Sequence, residues 1–365
     1  MPGFNPKSLT DCREQKQFPC IDVVKLICAV LVITAHIAPF GETDVPLLMT
    51  INDIIQRYLC RIAVPFFFVC TGFLLFRRTE PANALSPALG YAKKLLRMYL
   101  LWTAIYCVFI LRDILMNPQS VLQGIVIALR DFFLVGSYVH LWYLHASITA
   151  VVLAAFLLSR EVAPTKIFGI SLVLYCIGLL AESYFGLIRP LQGVPALWQT
   201  LKAVQSVIFT TRNGLFEGLA FVSLGMLLAY KPIRLSLKAA VLGLIASLAL
   251  LLAEGLLLDN AGWIRDTDYY LSLLPVAFFM FYLAAHIQLK PGKLYPYLRT
   301  LSTLVYFIHI WIRGALMILS DILHLGWTQN AMLFLLTLVL SVIGAMVIAK
   351  MAQHPKLSFL KKLYV

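Results

Sequence analysis

Ten apolar runs of about membrane-spanning length divide this chain. They leave little room for any fold but a bundle of transmembrane helices. The runs fall near 22–40, 59–76, 97–113, 141–159, 167–185, 213–230, 239–257, 269–287, 300–318 and 330–350. Each approaches the ~20 residues with which an α-helix crosses a hydrocarbon layer of about 30 Å. Inside lipid the backbone must satisfy its own hydrogen bonds, so such runs fold as helices. Charged residues make up only 13% of the chain, against roughly 25% in soluble domains. No long polar linker interrupts the series. The reading is one all-α polytopic membrane domain over 21–350, flanked by an N-terminal tail (1–20) and a basic C-terminal tail (351–365). A weaker amphipathic run, 119–136, carries Arg130 and Asp131 and reads as a short interfacial helix.

Ten spans put both termini on one side of the membrane, and the basic residues choose the side. With the N-terminus inside, twenty Lys and Arg fall in inner segments, nine in outer segments, and Lys25 lies within the first span. By the positive-inside rule both termini are cytoplasmic. The net charge of +13 is thereby explained by short basic loops. No segment carries the aromatic-interleaved basic pattern of a nucleic-acid module. Seven cysteines (12, 20, 28, 60, 70, 107, 176) show no CxxC and no zinc spacing. The first apolar run is too long for a signal peptide and opens with Asp22 and Lys25.

That first run holds the ionisable groups that most need explaining. An ionisable side chain within a membrane helix is costly and marks a functional hypothesis. Lys25 and His36 are eleven residues apart, about three turns, so they share a face with a rise of ~16 Å between them. On the topology above, Lys25 lies towards the cytosol and His36 towards the outer face. His36 is either a general base or a hydrogen-bonded residue of the bundle. Asp22 and Lys25 can form an i,i+3 pair at the helix start.

Further polar groups punctuate the other spans. Phe66-Phe67-Phe68-Val69-Cys70-Thr71-Gly72 offers, at Thr71-Gly72, a small-residue surface that another backbone can approach. Lys94 and Arg97 share a face at the cytoplasmic mouth of the third span. They are either a positive-inside anchor for anionic lipid or a clamp for the phosphates of a cytosolic ligand such as coenzyme A. His140, Trp142, Tyr143 and His145 open the fourth span, where two imidazoles enrich the outer surface in groups able to bind a polar substrate. HxxxxH is not a zinc-ligand spacing, and no metal is expected. Arg212, Asn213 and Glu217 open the sixth span; Asn213 suits a helix cap, and Glu217 needs a partner. Tyr306, His309 and Arg313 form a second ionisable cluster within the ninth span.

These motifs, taken in order, resemble the acyltransferase-3 family of bacterial integral-membrane acyltransferases. The likeness rests on the basic residue and histidine of helix 1 (Lys25, His36), and on Phe67-Phe68-Val69-Cys70-Thr71-Gly72, where Thr71 stands for the family's usual serine. It rests also on the basic pair Lys94 and Arg97, and on the stretch Ser302, Tyr306, His309. His140-Leu-Trp-Tyr-Leu and Thr211-Arg-Asn-Gly-Leu-Phe are similar to the membrane domain of vancomycin-resistance serine racemases. In those proteins a cytoplasmic pyridoxal-phosphate racemase domain follows the last helix. This chain ends at Val365, and racemization is not expected of it.

The resemblance implies an enzyme of the inner membrane that uses acetyl-CoA or another acyl-CoA as co-substrate, with no resident cofactor. It implies donor phosphates on Lys94 and Arg97, with Lys25 assisting, and His36 as general base on a hydroxyl of a sugar or cell-envelope glycan. Asp22, Thr71, Trp142, Tyr143, Arg212, Asn213, Glu217, Tyr306, His309 and Arg313 would support the site or contact the acceptor. A second reading is a small-molecule transporter or substrate-delivery module, for an amino acid such as serine, in which Arg212, Glu217 and the outer histidines bind a zwitterion.

Overall fold

All ten apolar runs lie largely on helical backbone in the computed structural model. The structure describes residues 3–4, 17–208, 210–231, 233–267, 269–327 and 330–365. Most of the 1–20 tail, with Lys7, Cys12, Arg13 and Lys16, lies outside the described residues. The helices are α1 (Pro19–His36), α2 (Pro46–Arg57), α3 (Ala63–Phe76), α4 (Leu85–Leu115), α5 (Val121–Arg130), α6 (Trp142–Ser159), α7 (Pro164–Ala181), α8 (Phe185–Ile188), α9 (Pro195–Ile208), α10 (Leu219–Tyr230), α11 (Leu237–Asn260), α12 (Leu273–His286), α13 (Leu294–Ile322) and α14 (Ala331–Met351). Several begin where local chemistry predicts. Proline opens α1, α2 and α7, and the side chains of Ser120, Ser236 and Asn330 cap α5, α11 and α14. One two-residue antiparallel pairing, Gly3–Phe4 with Ile287–Gln288, is the described sheet.

Among the described residues, eight helices are long and apolar enough to cross a membrane. The other two runs fall on shorter apolar helices, Gly214–Tyr230 and Leu273–His286. The fold is therefore an all-α polytopic membrane protein. Large apolar side chains point outward, as lipid requires: Met332, Leu335, Val339, Ile343, Met346 and Val347 of α14 are all exposed. The same helix buries Thr337, Ser341, Ala345 and Ala349. Small residues let helices approach closely where lipid supplies no hydrophobic drive between them.

Contacts gather the chain into two compact units. The first comprises Gln15–Phe67 and Met280–Val365, the second Phe68–Phe279. In the first unit α13 packs against both α1 and α14. Asp22, only 2% exposed, accepts two hydrogen bonds of 2.8 Å from the Nε and Nη2 groups of Arg299. Asp22 thus takes its partner from α13 rather than from Lys25 one turn away. A fork-on-carboxylate pair outcompetes the flexible ammonium in geometry. Nearer the other end of both helices, His36 meets His309. Two contacts in ascending order on each helix make α1 and α13 parallel, as two odd-numbered spans must be.

The second unit is built around α10, almost every residue of which is buried. It packs on α6 and α7, and it crosses α3 backbone to backbone. A Cβ on Gly72 would lie 2.0 Å from the Val222 carbonyl oxygen, and one on Gly225 would lie 2.1 Å from that of Val69. This is the close approach that Thr71-Gly72 predicts. α4 buries Ala88, Ala92, Leu95, Tyr99, Trp102, Tyr106 and Phe109 at alternating steps of four and three, a heptad seam against α6. Glu254 of α11 caps the start of α12. It accepts from Leu271 N (2.7 Å), Ser272 N (2.8 Å), the Tyr184 hydroxyl (2.7 Å) and the Ser272 hydroxyl.

Two stability tests follow. Gly72→Ala and Gly225→Ala each force the helices apart and should cost about 1–3 kcal/mol, read as a lower thermal unfolding midpoint in detergent; unchanged midpoints would contradict the crossing. Arg299→Ala leaves the Asp22 carboxylate buried and alone, and should cost about 3 kcal/mol. Asp22→Ala leaves a half-exposed arginine that water can solvate, so it should cost distinctly less; equal losses would show that the pair is not the asymmetric one seen.

Candidate active site

His36 is the last residue of α1, and the chain around it is held by amides of α2. Gln56 donates its Nε2–H to the Thr34 carbonyl, and Asn52 Oδ1 accepts from Phe40 N at 3.3 Å. Asn52 and Gln56 are i,i+4 on one face of α2, so one helix face braces both sides of His36. The turn beyond is fixed by a bridge between Phe40 and Asn330 and by a 3.1 Å bond from Asn330 Nδ2 to Glu42.

The His36 ring is half-buried and lies 5.3 Å, centroid to centroid, from the ring of His309. His309 is fully buried. Its Nδ1 is 2.7 Å from the carbonyl oxygen of Tyr306. A carbonyl can only accept, so Nδ1 carries the hydrogen and the remaining nitrogen, Nε2, has the lone pair of the neutral ring. The Tyr306 ring is 6.2 Å from His309 and meets Phe67 edge-on at 6.1 Å. Arg313 follows one turn beyond His309, half-buried. Lys25, also half-buried, occupies α1 about 16 Å of rise before His36. The two spans that carry sequence-predicted ionisable clusters therefore bring their imidazoles together.

The second unit gathers a different set. Thr71 Oγ1 lies 3.3 Å from the Tyr143 hydroxyl and also bonds to Tyr91. Phe68 packs on Tyr143 (5.0 Å) and Trp142 (6.1 Å), and the guanidinium of Arg212 stacks over Trp142 at 5.0 Å. Lys94 follows Tyr91 by one turn of α4 and has Arg97 as its charged neighbour. Lys94 is partly buried and Arg97 exposed. Asn213 is the expected cap, accepting from Leu215 N and Phe216 N. Glu217 is buried in the π-helical turn Gly214–Gly218 that precedes α10.

One reading of the sequence changes. His140 is 1% exposed and packs edge-on against Tyr106 at 4.8 Å, so it belongs to an aromatic core rather than to the outer surface. His145 bonds through Nε2 to the Phe133 carbonyl at 2.9 Å. Among the described residues, no group of three or more His, Cys, Asp or Glu converges as a metal-ligand set. Sequence reasoning passed over Asn52, Gln56 and Arg299. The i,i+4 amides of an amphipathic segment were the one local signal for the first two.

Comparison with known proteins agrees with this arrangement of helices and motifs. A family model described as an acyltransferase domain, acyltransferase-3, matches residues 18–350. A serine/alanine racemase of Enterococcus gallinarum is 29% identical over 341 residues, 92% of this chain and 46% of that protein. An amino-acid racemase of Enterococcus faecalis is 27% identical over 317 residues, 86% of this chain and 42% of that one. The chain spans less than half the length of the curated relatives it matches. No solved structure matches it. With the family domain covering nearly the whole chain and helices long enough to cross a membrane several times, the protein is a multi-pass membrane member of the acyltransferase-3 family.

Proposed function

We propose that the protein transfers an acyl group, in the simplest case acetyl, from cytosolic acyl-CoA to a hydroxyl of a sugar or cell-envelope glycan at the outer face of a bacterial plasma membrane. The observation that carries the proposal is the pairing of His36 with the buried, tautomer-fixed ring of His309. Family membership supports the transfer class.

In this reading residues 21–350 act as one membrane domain with both termini in the cytosol. Lys94 and Arg97 hold the donor phosphates, as a partly buried ammonium and an exposed guanidinium suit, and Lys25 adds positive charge on the cytoplasmic part of α1. His36 takes the proton of the acceptor hydroxyl as its oxygen attacks the thioester carbonyl. The tetrahedral adduct collapses, the carbon–sulfur bond breaks, and the leaving coenzyme thiolate takes from His36 the proton that came from the acceptor hydroxyl. The products are an ester and free coenzyme A. His309 positions the His36 ring and limits its rotation. Thr71 and Tyr143, joined by their hydroxyls, present polar groups for the acceptor.

Two measurements on the full chain in proteoliposomes test this. His36→Ala should lower acetyl-CoA turnover with a supplied glycan acceptor by about 10²–10⁴-fold; unchanged turnover would remove His36 from the chemistry. Replacing Lys94 and Arg97 together by Gln should raise the KM for acetyl-CoA by about 10-fold or more while kcat changes little. A fall in kcat at constant KM would place the pair elsewhere in the reaction.

A further inference from the structure

The second unit contains a cavity of about 470 Å³ that shares no residue with His36, His309, Lys94 or Arg97. Its lining is part apolar and part charged. The last turns of α7 supply an apolar wall through Ile177 and Leu180, and Ile188 of α8 adds to it. Of its cations, Lys202 lies on α9, and Arg212 and Arg265 lie in the connections that precede α10 and α12. Each cation lies against an aromatic ring. Lys202 Nζ is 5.7 Å from the Trp198 centroid, Arg265 Cζ is 5.6 Å from that of Phe185, and Arg212 Cζ is 5.0 Å from that of Trp142. Stacking of this kind holds a cation in place at little cost to its donors.

Two carboxylates, Glu182 and Asp266, also line the cavity. Glu182 is buried, and its Oε1 accepts from the Thr211 hydroxyl at 2.9 Å. With both ionised, three cations face two anions, and the lining has one net positive charge.

We infer that this cavity binds one amphiphile with a monoanionic phosphodiester head, of which an anionic glycerophospholipid is the membrane-borne form. The head would sit on Lys202 and Arg265 and the tail along Ile177 and Leu180. The single excess positive charge matches the single charge of a phosphodiester, and the guanidinium forks suit its two free oxygens. An apolar wall on the spanning helix α7 and cations carried outside the spanning helices suit the tail and the head of such an amphiphile at a membrane surface. A volume of this size suits a ligand well beyond a free amino acid. The inference does not depend on the acyl-transfer reading.

The test is native mass spectrometry of the full chain from nonionic detergent, with phosphatidylglycerol and phosphatidylcholine of equal chain length added at equal concentration. Phosphatidylglycerol should be retained about 10-fold or more over phosphatidylcholine. The preference should vanish in Lys202→Gln with Arg265→Gln and persist in Lys202→Arg with Arg265→Lys, which keep the charge. The thermal midpoint of each variant reports folding. Competition by the water-soluble headgroup glycerophosphoglycerol, as effective as the intact lipid, would support the phosphodiester site with a soluble ligand as its source. Equal retention of the two lipids, equal retention of oleate, or an undiminished preference in the folded double Gln variant would overturn the proposal.

Discussion

A carboxylate at the start of a membrane helix stays charged only if something replaces its water, and for Asp22 that replacement is the fork of Arg299. The pair does more than neutralise a charge. Two parallel N–H···O bonds of 2.8 Å set the register of α1 against α13, because sliding either helix by one residue would break both. With the register set at one end, the parallel course of the helices carries His36 to His309 further along. The candidate base therefore depends, through two stiff helices, on an ion pair that lies more than three turns away.

Packing elsewhere follows the inverted economy of a membrane protein. The outside is greasy because lipid faces it, so apolar character alone says little about burial. What lies inside is small, aromatic or polar. α14 turns Thr337, Ser341, Ala345 and Ala349 inward, α3 and α10 touch through glycines, and the inner face of α4 is rich in aromatic residues. Two of the buried carboxylates in the second unit are met by definite donors. Glu254 takes four from the start of α12 and from Tyr184, and Glu182 takes Thr211.

Much of this was legible in the sequence. The ten apolar runs all fall on helices, because hydropathy is a local property and lipid converts it directly into helix. Two of those helices are shorter than expected, Gly214–Tyr230 and Leu273–His286; α10 is buried nearly all round, so the hydrocarbon thickness does not set its length. Asn213 as a cap and Thr71-Gly72 as a site of backbone approach were readable from residue type alone. His140 was not. Its position near the start of a span suggested exposure, but Tyr106 and Tyr138 close over it.

The sequence by itself determined the class of fold, the places of its helices, the shared face of Lys25 and His36, and membership in a family of membrane acyltransferases. These depend on composition, period and motif, which are properties of neighbouring residues. Only the tertiary structure decided which cation meets Asp22, which ring meets His36, and that Lys202, Arg212 and Arg265 border one cavity. Those partners lie far apart along the chain. Many cations and several histidines could have served, and packing between helices selects one of each by geometry that no local pattern encodes.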